Sequence, residues 1–202
     1  MTLKSFSSSE DIKTVVIMLH GWTGDVNSML PISKALNLKH IKWVFPQAPF
    51  NVTKGGYSWF NKKNHDYSHL NLSFELLINL INDLNKEGFS NSSIYILGFS
   101  QGACLAMEFI IRQTFSIGGI IPVAGFIQYK KKFIESSLYE SKETRVLLLH
   151  GKRDKVVLPY NSTIAQELFI NAGYKSKLYF FNSRHKFPIE AKGLIKQFIV
   201  DG

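Results

Sequence analysis

Ile94-Tyr95-Ile96-Leu97-Gly98-Phe99-Ser100-Gln101-Gly102 is the stretch that decides the fold, because an apolar run passes through a glycine-bracketed serine into the amphipathic residues 103–112. A serine on a sharp strand-to-helix turn is a nucleophile elbow. The turn crowds its own backbone, so the residues flanking the serine have to be small, and the helix beginning there offers unsatisfied N–H groups to an oxyanion. Gly98 and Gly102 meet the first need. Gly-x-Ser-x-Gly alone is weak, since at ordinary glycine and serine frequencies it arises by chance in roughly one chain of this length in fifteen. Its surroundings carry the reading.

A nucleophilic serine needs a base, and on a strand-turn-helix scaffold the partners follow in the order serine, acid, histidine. Asp154 stands just past the apolar run Val146-Leu147-Leu148-Leu149, within His150-Gly151-Lys152-Arg153-Asp154. That is the carboxyl end of a strand, the edge where open parallel sheets hold their chemistry. His185, the only histidine after Asp154, follows the strand-like Lys177-Leu178-Tyr179-Phe180-Phe181 and precedes a helix that Pro188 can open. Near the front, Thr14-Val15-Val16-Ile17-Met18-Leu19 reads as a buried strand running into His20-Gly21-Trp22-Thr23-Gly24-Asp25. A glycine-bearing loop there can aim a backbone N–H at the oxyanion, with the N–H of Gln101 as second donor.

Together these residues resemble the acyl-protein thioesterase, carboxylesterase and lysophospholipase family of small α/β hydrolases, over nearly the whole chain. Leu19-His20-Gly21 with Gly24-Asp25 is similar to the family's oxyanion loop, residues 40–49 with Pro46-Gln47-Ala48-Pro49 to its next strand, and Ser58-Trp59-Phe60 to its short aromatic motif. His150-Gly151 leading to Asp154 and Val156-Val157, and His185 two residues before Phe187-Pro188, continue the match. The resemblance implies Ser100 as nucleophile, Asp154 as acid, His185 as base, and Trp22 and Gln101 as oxyanion donors. Three positions depart from the family: Trp22 is larger than usual, Leu158-Pro159 displaces the proline expected after Val157, and Gln128 replaces a proline after Gly125-Phe126-Ile127. Trp59, Phe60, Phe126 and Val156 are the candidate substrate-binding residues, with an ordinary core role as the plain alternative for the aromatics.

The 202 residues, 45% hydrophobic, suffice for one domain over 1–202, and no linker or repeat divides them. Strands are expected at 15–19, 42–45, 94–99, 117–123, 146–150 and 177–181, with at most a short strand near Phe6, and helical patterns at 73–87, 160–172 and 191–199. Continuous apolar strands separated by helices imply a mostly parallel sheet covered on both faces. The fold class is therefore α/β, a compact α/β-hydrolase fold whose central sheet has about six to seven strands. The mostly apolar residues 117–127 are too short to span a bilayer, residues 1–9 lack the apolar region of a signal peptide, and Cys104 is the single cysteine. A cytoplasmic location follows as the expectation, with Cys104 as a small apolar side chain.

The histidines and carboxylates show no zinc spacing, so neither metal nor cofactor is expected. His20 and His150 precede glycines at strand ends and should hold loops, while His40, His65 and His69 fall in loop-like sequence and should be solvated. Residues 51–69 are long enough for a lid or pocket cover. A net charge of +9 with no recognition motif argues against nucleic acid. The sequence points to a serine hydrolase of carboxylic ester or thioester bonds, expected to work on a small-molecule or lipid acyl substrate or an acylated protein through a Ser100–His185–Asp154 triad. Peripheral contact with an anionic membrane surface and pairing into a homodimer stay open. The alternatives are a catalytically silent hydrolase fold used as a binding module and a dienelactone-hydrolase-like enzyme, whose family would have cysteine in place of Ser100.

Overall fold

The computed structural model describes residues 2–60 and 68–200. Seven strands form one sheet in the order β1 (Leu3–Ser7), β3 (Ile41–Pro46), β2 (Thr14–Leu19), β6 (Ile94–Phe99), β7 (Gly119–Val123), β8 (Arg145–Gly151), β9 (Ser176–Phe181). All neighbours run parallel except β1, which lies antiparallel on β3 with Phe6 opposite Trp43. Helices α1 (Leu30–Leu36), α2 (Ser68–Lys86), α3 (Gln101–Ile110), α4 (Tyr160–Asn171) and α5 (Lys192–Val200) link them. The apolar runs are continuous because both faces of each inner strand are covered. Val15, Ile17 and Leu19 join the core that holds Leu77 and Ile81 of α2, Phe109 of α3 and Phe169 of α4. Val16 and Met18 point the other way, into the core that holds Leu36 of α1 and Ile195 and Ile199 of α5.

The strand order turns at β2. From β2 the chain moves to β3 on one side, and from β6 it moves to β7 on the other, so the loops leaving β2 and β6 diverge and open a crevice at the carboxyl edge of the sheet. Both the glycine-bearing loop 20–25 and Ser100 sit at that crevice.

Three expectations change. The strand expected at 117–123 begins at Gly119, because Ile117 gives its N–H to the Thr144 hydroxyl at 3.0 Å, outside the ladder. A small hairpin, β4 (Phe50–Asn51) with β5 (Tyr57–Ser58), occupies part of the segment read as loop. Helix α2 begins at Ser68, so His69 is not a solvated loop residue: it is buried, with its ring 5.7 Å from Phe60 and 6.2 Å from Tyr129. His65 and the middle of the expected lid, residues 61–67, lie outside the described residues. Among the described residues no helix is long and apolar enough to cross a membrane.

Candidate active site

Ser100 adopts φ 53° and ψ −113°, a conformation that costs a non-glycine residue roughly 1–3 kcal/mol and is held by its surroundings. Its N–H is tied to Val123 O at 2.9 Å, while its carbonyl takes the Cys104 N–H at 3.1 Å, so strand β7 and helix α3 grip it from both sides. The bracketing glycines are required by contact. A Cβ on Gly98 would lie 2.3 Å from Gly102 O, and one on Gly102 would lie 2.4 Å from Leu19 O. Gly102→Ala should therefore destabilise the fold by about 1–3 kcal/mol, the usual cost of overpacking. A urea midpoint unchanged from wild type would contradict the tight helix–strand approach.

His185 reaches Ser100 across the crevice, with Nε2 3.0 Å from Oγ, and its Nδ1 lies 2.7 Å from Asp154 Oδ2. Nδ1 faces a carboxylate and so carries the proton, leaving Nε2 free to accept the serine proton. Asp154 is buried, and its second oxygen, Oδ1, accepts the N–H groups of Val156 at 2.8 Å and Val157 at 3.0 Å. Burial alone would push this carboxyl up, but the His185 hydrogen bond and the two backbone N–H groups outweigh it and hold Asp154 below the ordinary aspartate value. It is a carboxylate at neutral pH. The three residues singled out from the sequence thus meet as one connected chain of hydrogen bonds.

Loop 20–25 is braced from below. Thr23 N–H bonds Tyr57 O at 2.9 Å, and Tyr57 N–H bonds Gly24 O at 2.9 Å, which stitches the loop to β5. The other brace comes from the side chain of Gln101. Its Oε1 accepts Trp59 N–H at 3.0 Å, and its Nε2 donates to Ser58 Oγ at 2.9 Å and Phe60 O at 3.0 Å. One segment, 57–60, therefore fixes both the residue after Ser100 and the loop carrying Trp22. Among the described residues, neither the Trp22 N–H nor the Gln101 N–H donates to a protein acceptor, so both are open to a ligand oxygen.

His20 holds this loop as expected, with Nδ1 2.7 Å from Gly21 O and Nε2 accepting Ala48 N–H at 3.2 Å. Burial lowers its pKa against the pull of the Gly21 carbonyl, which fits the neutral ring these partners require.

The four candidate pocket residues divide. Val156 is 72% exposed beside Asp154, and Phe126 is half-buried against the elbow helix, where its N–H meets Cys104 Sγ at 3.3 Å. Trp59 is 0% exposed and Phe60 nearly so. Trp59 gives its indole N–H to His20 O at 2.8 Å and its ring packs 4.9 Å from His20, so it anchors the loop from inside the core and presents no open wall. Its place in a motif next to Ser58 could not show which side of the loop it faces.

Glu108 was not singled out from the sequence, yet it shapes the same edge. Wholly buried on α3, it pairs with Arg112 at 2.8 Å through Oε2 and accepts the N–H groups of Gln128 at 2.8 Å and Tyr129 at 3.0 Å through Oε1. Here lies the physical reason for one departure from the family. A proline at 128 has no N–H to give, whereas Gln128 uses its own to satisfy a buried carboxylate. The available signal was one acid within an otherwise apolar helix.

The family described as Phospholipase/Carboxylesterase matches residues 5–200. This chain belongs to that family. At that level it is a hydrolase of the phospholipase and carboxylesterase class. Acyl-protein thioesterase 1 of Kluyveromyces lactis is 27% identical over 181 residues, covering 81% of this chain and 79% of that protein. Carboxylesterase SOBER1 of Arabidopsis thaliana is 26% identical over 162 residues, covering 72% of this chain and 71% of the relative. In structure, the family member superposes on SOBER1 with a TM-score of 0.83 at 23% identity, over 92% of this chain and 97% of the other. The acyl-protein thioesterase 2 of Zea mays gives 0.83 at 18% identity, over 99% and 98%. Those two likenesses establish a shared α/β-hydrolase fold.

Proposed function

We propose that this phospholipase/carboxylesterase family member hydrolyses acyl esters or thioesters through a covalent acyl-enzyme on Ser100. The observation that carries the reading is the unbroken path from Ser100 Oγ to His185 at 3.0 Å and on to Asp154 at 2.7 Å, beside two open backbone N–H groups. His185 Nε2 takes the proton as Ser100 Oγ attacks the acyl carbonyl. The carbonyl oxygen, now negative, is received by the N–H groups of Trp22 and Gln101. The new imidazolium is stabilised by ionised Asp154, then hands its proton to the leaving alkoxide or thiolate. Water, activated by the same histidine, attacks the acyl-enzyme, and Ser100 regains its proton as the free acid leaves. A silent binding module has no use for a strained serine pointed at an imidazole nitrogen. Reaction with a fluorophosphonate probe tests this directly: labelling of Ser100 is expected, and a folded wild-type protein that stays unlabelled would favour the binding module.

The names of the relatives and the charge around the mouth bear on the substrate. Lys152, Arg153, Lys155, Arg184 and Lys186 are all exposed in the two loops that bring Asp154 and His185, next to exposed Val156 and Leu158. Such a rim draws anionic acyl substrates, or a lipid or acylated protein on an anionic membrane surface, toward the serine. Screening acts over about 10 Å at 0.1 M salt, so it weakens this attraction more than the chemistry inside. Raising salt from low to about 0.5 M should lower kcat/KM for an anionic ester roughly threefold more than for a neutral ester of equal chain length. Lys152→Glu with Lys186→Glu should shrink that difference. Identical salt responses for the two esters would make the rim an ordinary solvated surface.

A further inference from the structure

Asp154 is approached by two imidazoles. His185 meets Oδ2 from the crevice, and from inside the fold His150, wholly buried at the end of β8, brings its Nε2 to 3.3 Å from the same oxygen. The Nε2 of His150 also lies 2.9 Å from Val157 O, and its Nδ1 lies 2.6 Å from the hydroxyl of Ser162 on α4. These partners fix the tautomer. A carbonyl and a carboxylate only accept, so Nε2 carries the hydrogen, and Nδ1 accepts the Ser162 hydroxyl proton. Burial lowers the pKa of His150 against the opposing pull of the Val157 carbonyl and Asp154, and His185 adds to the lowering, so the ring is neutral. The other charged groups of this loop, Lys152, Arg153 and Lys155, are exposed.

We propose that His150 is a positioning residue for the acid, with Ser162 setting its tautomer and its Nε2–H holding both the Val157 peptide and the Oδ2 of Asp154. Two routes converge on one carboxylate. Directly, the N–H beside Oδ2 orients that oxygen toward His185. Indirectly, His150 holds the carbonyl of Val157, whose N–H is one of the two that Oδ1 accepts. The inference rests on the proposed roles of Ser100, His185 and Asp154, but it concerns a hydrogen-bond relay readable without turnover.

Two substitutions separate the halves of the ring. His150→Gln keeps an N–H near the place of Nε2, while His150→Asn keeps an acceptor for Ser162 near the place of Nδ1 and removes the donor to Asp154. With less hydrogen bonding, the carboxylate holds a proton on His185 more strongly. His150→Asn should therefore lower kcat roughly tenfold or more with KM nearly unchanged, the scale seen when a supporting hydrogen bond of an active-site group is removed. It should also move both the acid limb of kcat/KM and the ring-proton titration of His185 upward by about half a unit. His150→Gln should restore most of both, and Ser162→Ala, which supplies the same readouts if His150→Asn does not fold, should shift them in the same direction by less. A folded His150→Asn, or Ser162→Ala in its place, with unmoved kcat and titration overturns the proposal, as does a folded His150→Gln that restores neither. Wild-type protein without esterase turnover would count against the functional reading alone, because the His185 titration in the resting protein still decides the role of His150.

Discussion

Ser100→Ala is expected to abolish fluorophosphonate labelling and to lower kcat by about four orders of magnitude or more, since without the oxygen no acyl-enzyme forms. Binding and the two backbone N–H donors survive the change, so a small residual rate over water is expected, with KM changed little. The fold should survive as well, for a different reason than at most sites. Ser100 holds its unusual φ through backbone bonds to Val123 and Cys104, neither of which uses the hydroxyl. Thermal unfolding within a few degrees of wild type, with activity gone, is the expected pair of results. Turnover near the wild-type rate would remove Ser100 from the chemistry altogether.

Asp154→Asn should cost nearly as much, about 10⁴ in kcat, while leaving the protein folded. The hydrogen bonds specify why. Oδ1 is held by two backbone N–H donors from Val156 and Val157, so the amide oxygen of asparagine has to occupy that position. The amide NH₂ then replaces Oδ2 and confronts His185 Nδ1–H, donor against donor. His185 escapes by moving its proton to Nε2, the atom that lies 3.0 Å from Ser100 Oγ, and a protonated Nε2 cannot take the serine proton. Stopped-flow or steady-state kcat on a short activated ester checks this. A loss of less than tenfold would require another acid behind His185.

The candidate site was legible in one dimension because each of its parts is a local event. An apolar run, a glycine-bracketed serine and a helix are contiguous, as are the run 146–149 and Asp154, and a strand's carboxyl end is marked by where its apolar residues stop. Order along the chain did the rest, since this scaffold takes its serine, acid and histidine in sequence. The alternation of strands and helices was legible on the same grounds, local pattern and spacing, and the short chain before residue 14 left room for at most a short strand near Phe6, whose antiparallel pairing with β3 only the fold supplies.

What the sequence by itself determined is therefore the alternation that builds the sheet, the edge at which the candidate site lies and the choice of Ser100, Asp154 and His185 as its candidates, all of which follow from short-range pattern and chain order. Facing and pairing over long separations belonged to the tertiary structure. Trp59 turns inward because His20, 39 residues earlier, offers a carbonyl to its indole. The Gln101 side chain directs its hydrogen bonds to residues 58–60, and Glu108 finds partners in the core because the chain returns 20 residues later with the N–H groups of Gln128 and Tyr129. His69 is buried because α2 begins a turn earlier than its apolar periodicity, where Phe60 and Tyr129 enclose it. A buried polar group is tolerated only with a partner, and which partner arrives is fixed when distant segments fold against each other.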